Sequence, residues 1–291
     1  MHRRGAILLR HPGRIADSSI SDSRLLTVNS RLRFLVIIVK TQSRFTFLLI
    51  LGLASAGLSA AAPSNASSAP WVSLFDGQSL AGWKVRCLPA DADKTFWTVR
   101  DGAILCDSLG RKDHQYVWLM HDSEWADFEL ELEFQPFRTS PGNTGVQIRS
   151  RYDASPSAPN GGWLDGPQID IHPPAPFRTG LIYDETRTEK RWIHPSLPSS
   201  KIEPRPTAEG FTFRYAEDGG GWNRLRIVAR GASITTELNG ATTAIFDGAG
   251  ILDNDAHRKL GVGLRGQIAL QLHVRDELKV RYRAIRVRAV P

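Results

Sequence analysis

Cysteine is nearly absent. The 291 residues hold two, Cys87 and Cys106. With no nearby cysteine or paired histidine, they exclude a zinc site. They leave either one bridge, worth about 3 kcal/mol for a loop near this length, or two buried thiols on neighbouring strands. Helical periodicity is also missing, so almost nothing reads as helix. No internal repeat appears at propeller spacing, because Trp and Gly recur at no fixed interval.

Surplus charge is missing where it would matter. The chain carries a net +7, but residues 1–62 hold nine of the 37 Lys/Arg and only two of the 30 Asp/Glu. The remaining 63–291 hold 28 of each sign. A neutral domain lacks the basic footprint that binding to nucleic acid needs, so nucleic acid is not an expected partner.

The basic leader reads as an export signal. Arg44 precedes the apolar run Phe45–Leu53, and small residues follow through Ala62. This is a charged flank, an apolar region and a cleavage region, with cleavage expected after Ala60 or Ala62. The apolar run is short of the ~20 residues that span a membrane, which favours cleavage over an anchor. The signal lies behind some forty residues without a domain-like pattern. A translation start near Val36–Val39 is therefore expected, checked by N-terminal sequencing of the precursor. The expected organisation is an extension with signal peptide over 1–62, a flexible linker over 63–70 and one domain over 71–291. The mature protein is expected in the periplasm or outside the cell.

From Trp71 onward the chain alternates. Strand-like runs occupy Trp71–Phe75, Trp83–Cys87, Phe96–Val99, Ala103–Cys106, Tyr116–His121, Phe128–Phe134 and Asn143–Arg151. After the central pair Gln168–His172 and Thr179–Glu185 comes a polar, Pro-rich connection, Arg187–Pro206. Further runs are Phe211–Tyr215, Trp222–Ala229, Ser233–Leu238, Thr243–Phe246, Leu260–Leu264, Gln267–Val274 and Val280–Val287. Asp101-Gly102 and Asn239-Gly240 are turn signals, the latter for a type I′ hairpin. Short strands punctuated by turns predict an all-β fold, an antiparallel β-sandwich of roughly 220 residues.

The stretch Gly166–Glu185 organises the functional reading. In Gln168–His172 the polar residues Gln168, Asp170 and His172 alternate with Ile169 and Ile171. Side chains on one strand face stand ~6.6–6.8 Å apart, so this strand turns an apolar face to a core and a polar one outward. In Thr179–Glu185, Leu181, Tyr183 and Glu185 share a side opposite Ile182. Gly266–His273 places Gln271 and His273 on one face, and histidine is the side chain most readily poised as a base near neutral pH. Gly142-Asn143-Thr144-Gly145 reads as a tight turn needing positive φ, or as a close approach for a ligand that aims Arg149 at an oxyanion. Trp163 in the loop Asn160–Gly166 and Trp192 in the Pro-flanked loop are candidate sugar platforms. His172 and His194 abut proline and read as loop caps. Asp253-Asn254-Asp255 offers three oxygens to calcium, a weak signal. Glu129, Glu131 and Glu133 offer paired carboxylates for glycoside hydrolysis. Opposite a perfect apolar face, they equally describe a solvated sheet surface paired with Arg149 and Arg151.

Seven motifs occur in a fixed order. They are Leu74-Phe75-Asp76-Gly77 to Gly82-Trp83, Asp127-Phe128-Glu129-Leu130, Gly142-Asn143-Thr144-Gly145 and Thr179-Gly180-Leu181-Ile182-Tyr183, followed by Gly221-Trp222-Asn223, Leu238-Asn239-Gly240 and Gly266–His273. In this order they resemble the 3-keto-disaccharide hydrolase domain family over about 71–289. The resemblance implies a concanavalin-like sandwich in an exported bacterial protein that cleaves glycosides already oxidised at C3. It further implies a sugar 3-dehydrogenase acting upstream. Where family members commonly carry glutamate, this chain has Gln168, leaving Asp170 as the carboxylate of that strand. Residue chemistry then assigns His273 or Asp170 as base, and Arg149, or a divalent cation, to the enolate. Tyr183 or Glu185 serves as acid. Gln168, Gln271, Asn143, Trp163 and Trp192 contact the sugar. Two alternatives stay open: a non-catalytic carbohydrate-binding sandwich, and a conventional glycosidase with two carboxylates.

Overall fold

The computed structural model describes residues 69–140, 142–172, 178–189, 191–194 and 213–291, with side chains at 191–193 left out. The expected leader and its cleavage sites lie outside these residues.

In chain order the strands are β1 (Val72–Ser73), β2 (Trp83–Cys87), β3 (Trp97–Arg100), β4 (Ala103–Asp107), β5 (Val117–Trp125), β6 (Phe128–Pro136), β7 (Thr144–Asp153) and β8 (Trp163–Asp165). Then come β9 (Pro167–Ile171), β10 (Ile182–Asp184), β11 (Arg191–His194), β12 (Asn223–Arg230), β13 (Ser233–Leu238), β14 (Ala241–Asp247), β15 (Gly266–Leu272) and β16 (Lys279–Ala289). A short α-helix, α1, spans Asp255–Leu260. The first sheet runs β14-β13-β12-β6-β16-β4-β3 with β1 added on β16. The second runs β11-β10-β9-β7-β15-β5-β2 with β8 added on β7. Every recorded pairing is antiparallel, for example β6 with β12 and β7 with β15. The architecture is the expected antiparallel β-sandwich.

Period-two alternation builds the core between the sheets. Phe128, Leu130, Leu132 and Phe134 of β6 are buried against Val146, Ile148, Ile169, Ile171, Leu270 and Leu272 of the second sheet. Each such side chain contributes about 1.5–3 kcal/mol by leaving water. The β13–β14 hairpin turns at Asn239 and Gly240, whose φ values of 51° and 86° suit a type I′ turn. A smaller apolar cluster covers the outer face of the second sheet, where Trp118, Met120 and Ala269 meet Trp163 and Leu164.

The other face of β6 corrects the acidic reading. Glu129 bonds Arg226 and Arg288, Glu131 bonds Arg224 and Arg286, and Glu133 bonds Arg283. These arginines come from β12 and β16, which flank β6, and not from Arg149 or Arg151 of the other sheet. Glu129 and Glu131 are buried in full ion pairing, a structural ladder with no acid poised for chemistry.

Several local expectations differ. Asn254 caps α1, accepting from the His257 N–H at 3.0 Å, and Gly261 closes it at φ 68°. The Asp253–Asp255 oxygens therefore belong to a helix start, and Leu260–Leu264 is helix end and turn, not strand. β11 forms inside the Pro-rich connection that was read as loop, and residues 213–215 are not strand. Cys87 and Cys106 are both free and lie on β2 and β4, which belong to different sheets.

Candidate active site

The outer face of the second sheet carries a cavity of about 270 Å³ lined by Tyr116, Asn143, Trp163, Gln168, Asp170, Arg178, Tyr183, Glu185 and His273. Antiparallel pairing assembles it. Asp170 lies opposite Gly145, and Gln168 lies between Gln147 on one side and Tyr183 on the other. With Ile169, Ile171 and Ile182 in the core, alternation forces Gln168, Asp170 and Tyr183 outward. His273 follows the last residue of β15, and Tyr116 precedes the first of β5.

Asp170 is the central carboxylate. It is 2 % exposed. Gln168 Nε2 donates to its Oδ1 at 2.8 Å, and Arg178 Nε stands 3.8 Å from Oδ2. Burial pushes the carboxyl up to about 6, against the opposing pull of Arg178, the Gln168 hydrogen bond and His273. Gly145 makes this arrangement possible. A Cβ there would stand 2.7 Å from Cγ and Cδ of Gln168 and 2.8 Å from the Ile169 carbonyl. The glycine therefore serves close approach, and neither Gly142 nor Gly145 adopts positive φ.

Tyr183 is pushed up to about 12 by burial first, then by Glu185 and Asp170. Glu185 is buried; its N–H donates to Gly166 at 3.1 Å, and its carbonyl accepts from Trp163 Nε1 at 2.8 Å. Between these two residues Asp184 turns the other way. Its Oδ2 lies 3.0 Å from Nε2 of His257, both side chains fully buried, and Asn254 and Thr186 complete the histidine's contacts. This buried pair fastens β10, and with it Tyr183 and Glu185, to α1.

His273 is held from two sides. Its Nε2 lies 3.0 Å from the Tyr116 hydroxyl, and its Nδ1 lies 3.4 Å from Oδ2 of Asp276. The Asn143 N–H donates to the same Asp276 oxygen at 2.8 Å. The Tyr116 ring stacks on Trp118 with centroids 5.4 Å apart and meets Trp163 and His273 edge-on at 5.2 and 4.8 Å. His172, beside the cavity, is pushed down to about 4 by burial first and then by Arg178.

Seven expected site residues thus converge: His273, Asp170, Glu185, Tyr183, Gln168, Asn143 and Trp163. Arg149 does not. A bulge sets Ile148 and Arg149 of β7 opposite the single Ile268 of β15, with Arg149 at φ 49°. The bulge breaks the alternation that would have aimed Arg149 outward. Its fully buried guanidinium instead donates to the carbonyls of Ala126, Gly231 and Gly263 and to Asp127, at 2.7, 2.5, 3.2 and 3.0 Å. Gln271 shares the outer face but is fully buried and does not line the cavity. Neither of its amide atoms has a hydrogen-bond partner among the described residues, nor do Oε1 of Gln147 and Gln168. Trp163 is a buried wall on a strand, 3 % exposed, where an open loop platform was expected. Trp192 lies opposite Tyr183 on β11; its side chain falls outside the described residues.

Tyr116, Arg178 and Asp276 were not anticipated. Tyr116 alternates with Trp118 and Met120, which marks it as outward-facing, and Asp276 follows His273 by three residues. Arg178 ends the Pro-rich segment after Asp170, where no periodicity applies. Among the described residues no group of three His, Cys, Asp or Glu side chains is placed to hold a metal ion. A second cavity, about 480 Å³, sits over the arginine–glutamate ladder beside Trp71, Glu131 and Arg286, where the charges already pair with one another.

The model of the 3-keto-α-glucoside-1,2-lyase-like domain matches residues 70–288. The chain belongs to this family. It is a carbohydrate-acting family, and the chain's fold is the β-sandwich described above. Among solved structures it is similar to a Parabacteroides distasonis protein assigned to the glycosyl hydrolases, at 15% identity and TM-score 0.48, covering 76% of this chain and 94% of that one. A Bacillus subtilis protein of unknown function with a galectin-like fold matches at 11% identity and TM-score 0.46, over 75% and 94% of the two chains. The laminarinase of Rhodothermus marinus matches at 10% and 0.44, over 76% and 98%. No curated protein matches.

Proposed function

We propose that this domain cleaves 3-keto-glycosides by elimination and hydration, with Asp170 as the base. The observation that carries the reading is the buried Asp170 facing Arg178 in a cavity that also gathers Tyr116, Tyr183, Glu185 and His273. A ketone at C3 acidifies the C2 proton. A carboxylate takes that proton, the enolate expels the oxygen on C1, and water later adds at C1 while C2 regains a proton. Asp170 suits the first step, because a carboxyl near 6 is ionised at neutral pH yet basic enough to matter. Arg178 takes the role first given to Arg149, as the cation beside the developing enolate oxygen. Gln168, Asn143 and the Trp163 wall bind the ring. The family membership supports the keto-sugar as substrate class. The basic, apolar leader supports an exported location, and a sugar 3-dehydrogenase would supply the substrate.

Asp170 and Glu185 line the same cavity, which favours one second reading, a glycosidase working on unoxidised sugars with two carboxylates. The test is turnover of a chromogenic 3-keto-glucoside beside the parent glucoside, with wild type and Asp170→Asn. The elimination reading expects release from the keto-sugar alone, lost in the variant. Equal release from both substrates would support the glycosidase, and saturable binding without release would support a binding module.

A further inference from the structure

We propose that Tyr116, His273 and Asp276 form a proton relay that protonates the leaving glycosidic oxygen and then takes a proton back from the water adding at C1. The inference rests on the elimination reading above. It starts from the line of contacts Tyr116 Oη to His273 Nε2 at 3.0 Å and His273 Nδ1 to Asp276 Oδ2 at 3.4 Å. At the second distance Nδ1 makes no hydrogen bond in this structure, and such contacts often tighten only when substrate binds. Burial pushes the Asp276 carboxyl up, but the nearby His273 and the hydrogen bond from the Asn143 N–H outweigh it and hold the group below its ordinary range. An ionised carboxylate only accepts, so the relay places a hydrogen on Nδ1 of His273.

The direction of the Tyr116 proton then follows from the ring. With Nε2 also protonated, the imidazolium donates to Oη, and the Tyr116 hydroxyl aims its own proton into the cavity. With Nε2 bare, that hydroxyl points at the ring, and Oη faces the cavity as an acceptor. One group thus serves opposite needs in the two half-reactions. The phenol stays protonated between them, because burial, Glu185 and Tyr183 push its titration upward. The tyrosine ring cannot swing away, being stacked on Trp118 and edge-packed on Trp163.

The protons balance. In the elimination Asp170 takes the C2 proton and the C1–O bond breaks. The leaving oxygen takes the Tyr116 proton, and Tyr116 takes the Nε2 proton of His273. In the hydration the water oxygen bonds C1 and its proton passes to Tyr116. Tyr116 returns its own proton to Nε2, and Asp170, its proton exchanged with solvent water between the two half-reactions, gives one to C2. The sum is glycoside plus water to keto-sugar plus alcohol.

The test exploits the leaving group. A 4-nitrophenyl 3-keto-glucoside releases a stable anion that needs no proton, whereas the methyl 3-keto-glucoside releases an alkoxide that does. Tyr116→Phe should lower first-turnover cleavage of the methyl glucoside by roughly 10²–10⁴-fold and leave the first-turnover burst of nitrophenol within roughly tenfold, as expected for a lost acid whose proton the leaving group can spare, while the later hydration slows on both. In D2O the variant should still introduce deuterium at C2 of the uncleaved methyl glucoside, because Asp170 is intact. The nitrophenol burst of the same variant reports that it is folded. Asp276→Asn, which leaves Tyr116 in place, should shift the same ratio in the same direction. Equal loss on both substrates in either variant, or loss of the C2 exchange, would overturn the relay while sparing the elimination reading. Wild-type protein inert toward both keto-sugars would overturn both.

Discussion

Replacing Asp170 by asparagine should remove activity and, at neutral pH, raise stability. The carboxyl moves from its ordinary 3.8 to about 6 because burial penalises its charge. A carboxyl raised in the folded state binds a proton there that the unfolded chain has already released. Stability is therefore greatest below the unfolded value and is lost as pH climbs through the folded one. At 1.36 kcal/mol per pH unit, the interval amounts to about 3 kcal/mol. Asparagine keeps an oxygen for the Gln168 hydrogen bond and has no charge to bury, so it lacks this loss. The stability difference, Asn minus Asp, should thus grow by about 3 kcal/mol between roughly pH 3 and pH 7. For a domain of this size that is roughly 6–12 °C in Tm. Urea or thermal unfolding of both proteins across that range measures it, and groups common to both cancel in the difference. A difference that stays flat with pH would refute the claim that Asp170 is buried near 6, and with it the choice of base.

Arg149→Met should cost about 3–5 kcal/mol, since it strands three carbonyls and removes the partner of the solvent-facing Asp127, while kcat/KM on a keto-glucoside at low temperature stays within a few-fold of wild type; a selective loss of kcat would return Arg149 to the site. His257→Ala should destabilise by about 3–5 kcal/mol in urea, because it leaves Oδ2 of the fully buried Asp184 without its partner, the Thr186 N–H reaching only Oδ1. Gln168→Leu should move the acidic limb of kcat/KM upward, because the amide hydrogen bond is one of the influences holding Asp170 down; a limb that stays put or falls would contradict the assignment. Gly145→Ala should lower kcat/KM more than it lowers stability, which should fall by about 1–3 kcal/mol, since the new methyl group displaces Gln168 before anything else.

The fold was legible because its strands obey one rule. β6, β9, β12 and β15 alternate cleanly, so their inward faces could be read directly and the sandwich followed. The same rule placed Gln168, Asp170, Tyr183 and His273 on one outer face. It failed at Arg149, where a single extra residue in β7 reversed a side chain, and nothing local in the sequence signals such a bulge. It could not find Arg178, which lies in irregular chain positioned by the tertiary fold. It undervalued Tyr116, which needs the pairing of β5 with β15 to be brought to His273. The glutamates of β6 read as a solvated sheet surface, but Glu129 and Glu131 are buried, and their arginine partners depend on strand order, which alternation does not encode. The helix α1 was missed because six residues are too few to show a period, although Asn254 and Gly261 bracket it with ordinary cap chemistry.

The central claim is that the C2 proton leaves before the glycosidic bond breaks. The most direct measurement is mass spectrometry of the keto-sugar released from a 3-keto-glucoside in D2O, sampled early and corrected for uncatalysed exchange. Elimination and hydration predict one solvent deuterium at C2 of each product molecule. Product formed at the enzymatic rate with hydrogen retained at C2 would contradict the account and leave direct displacement at C1.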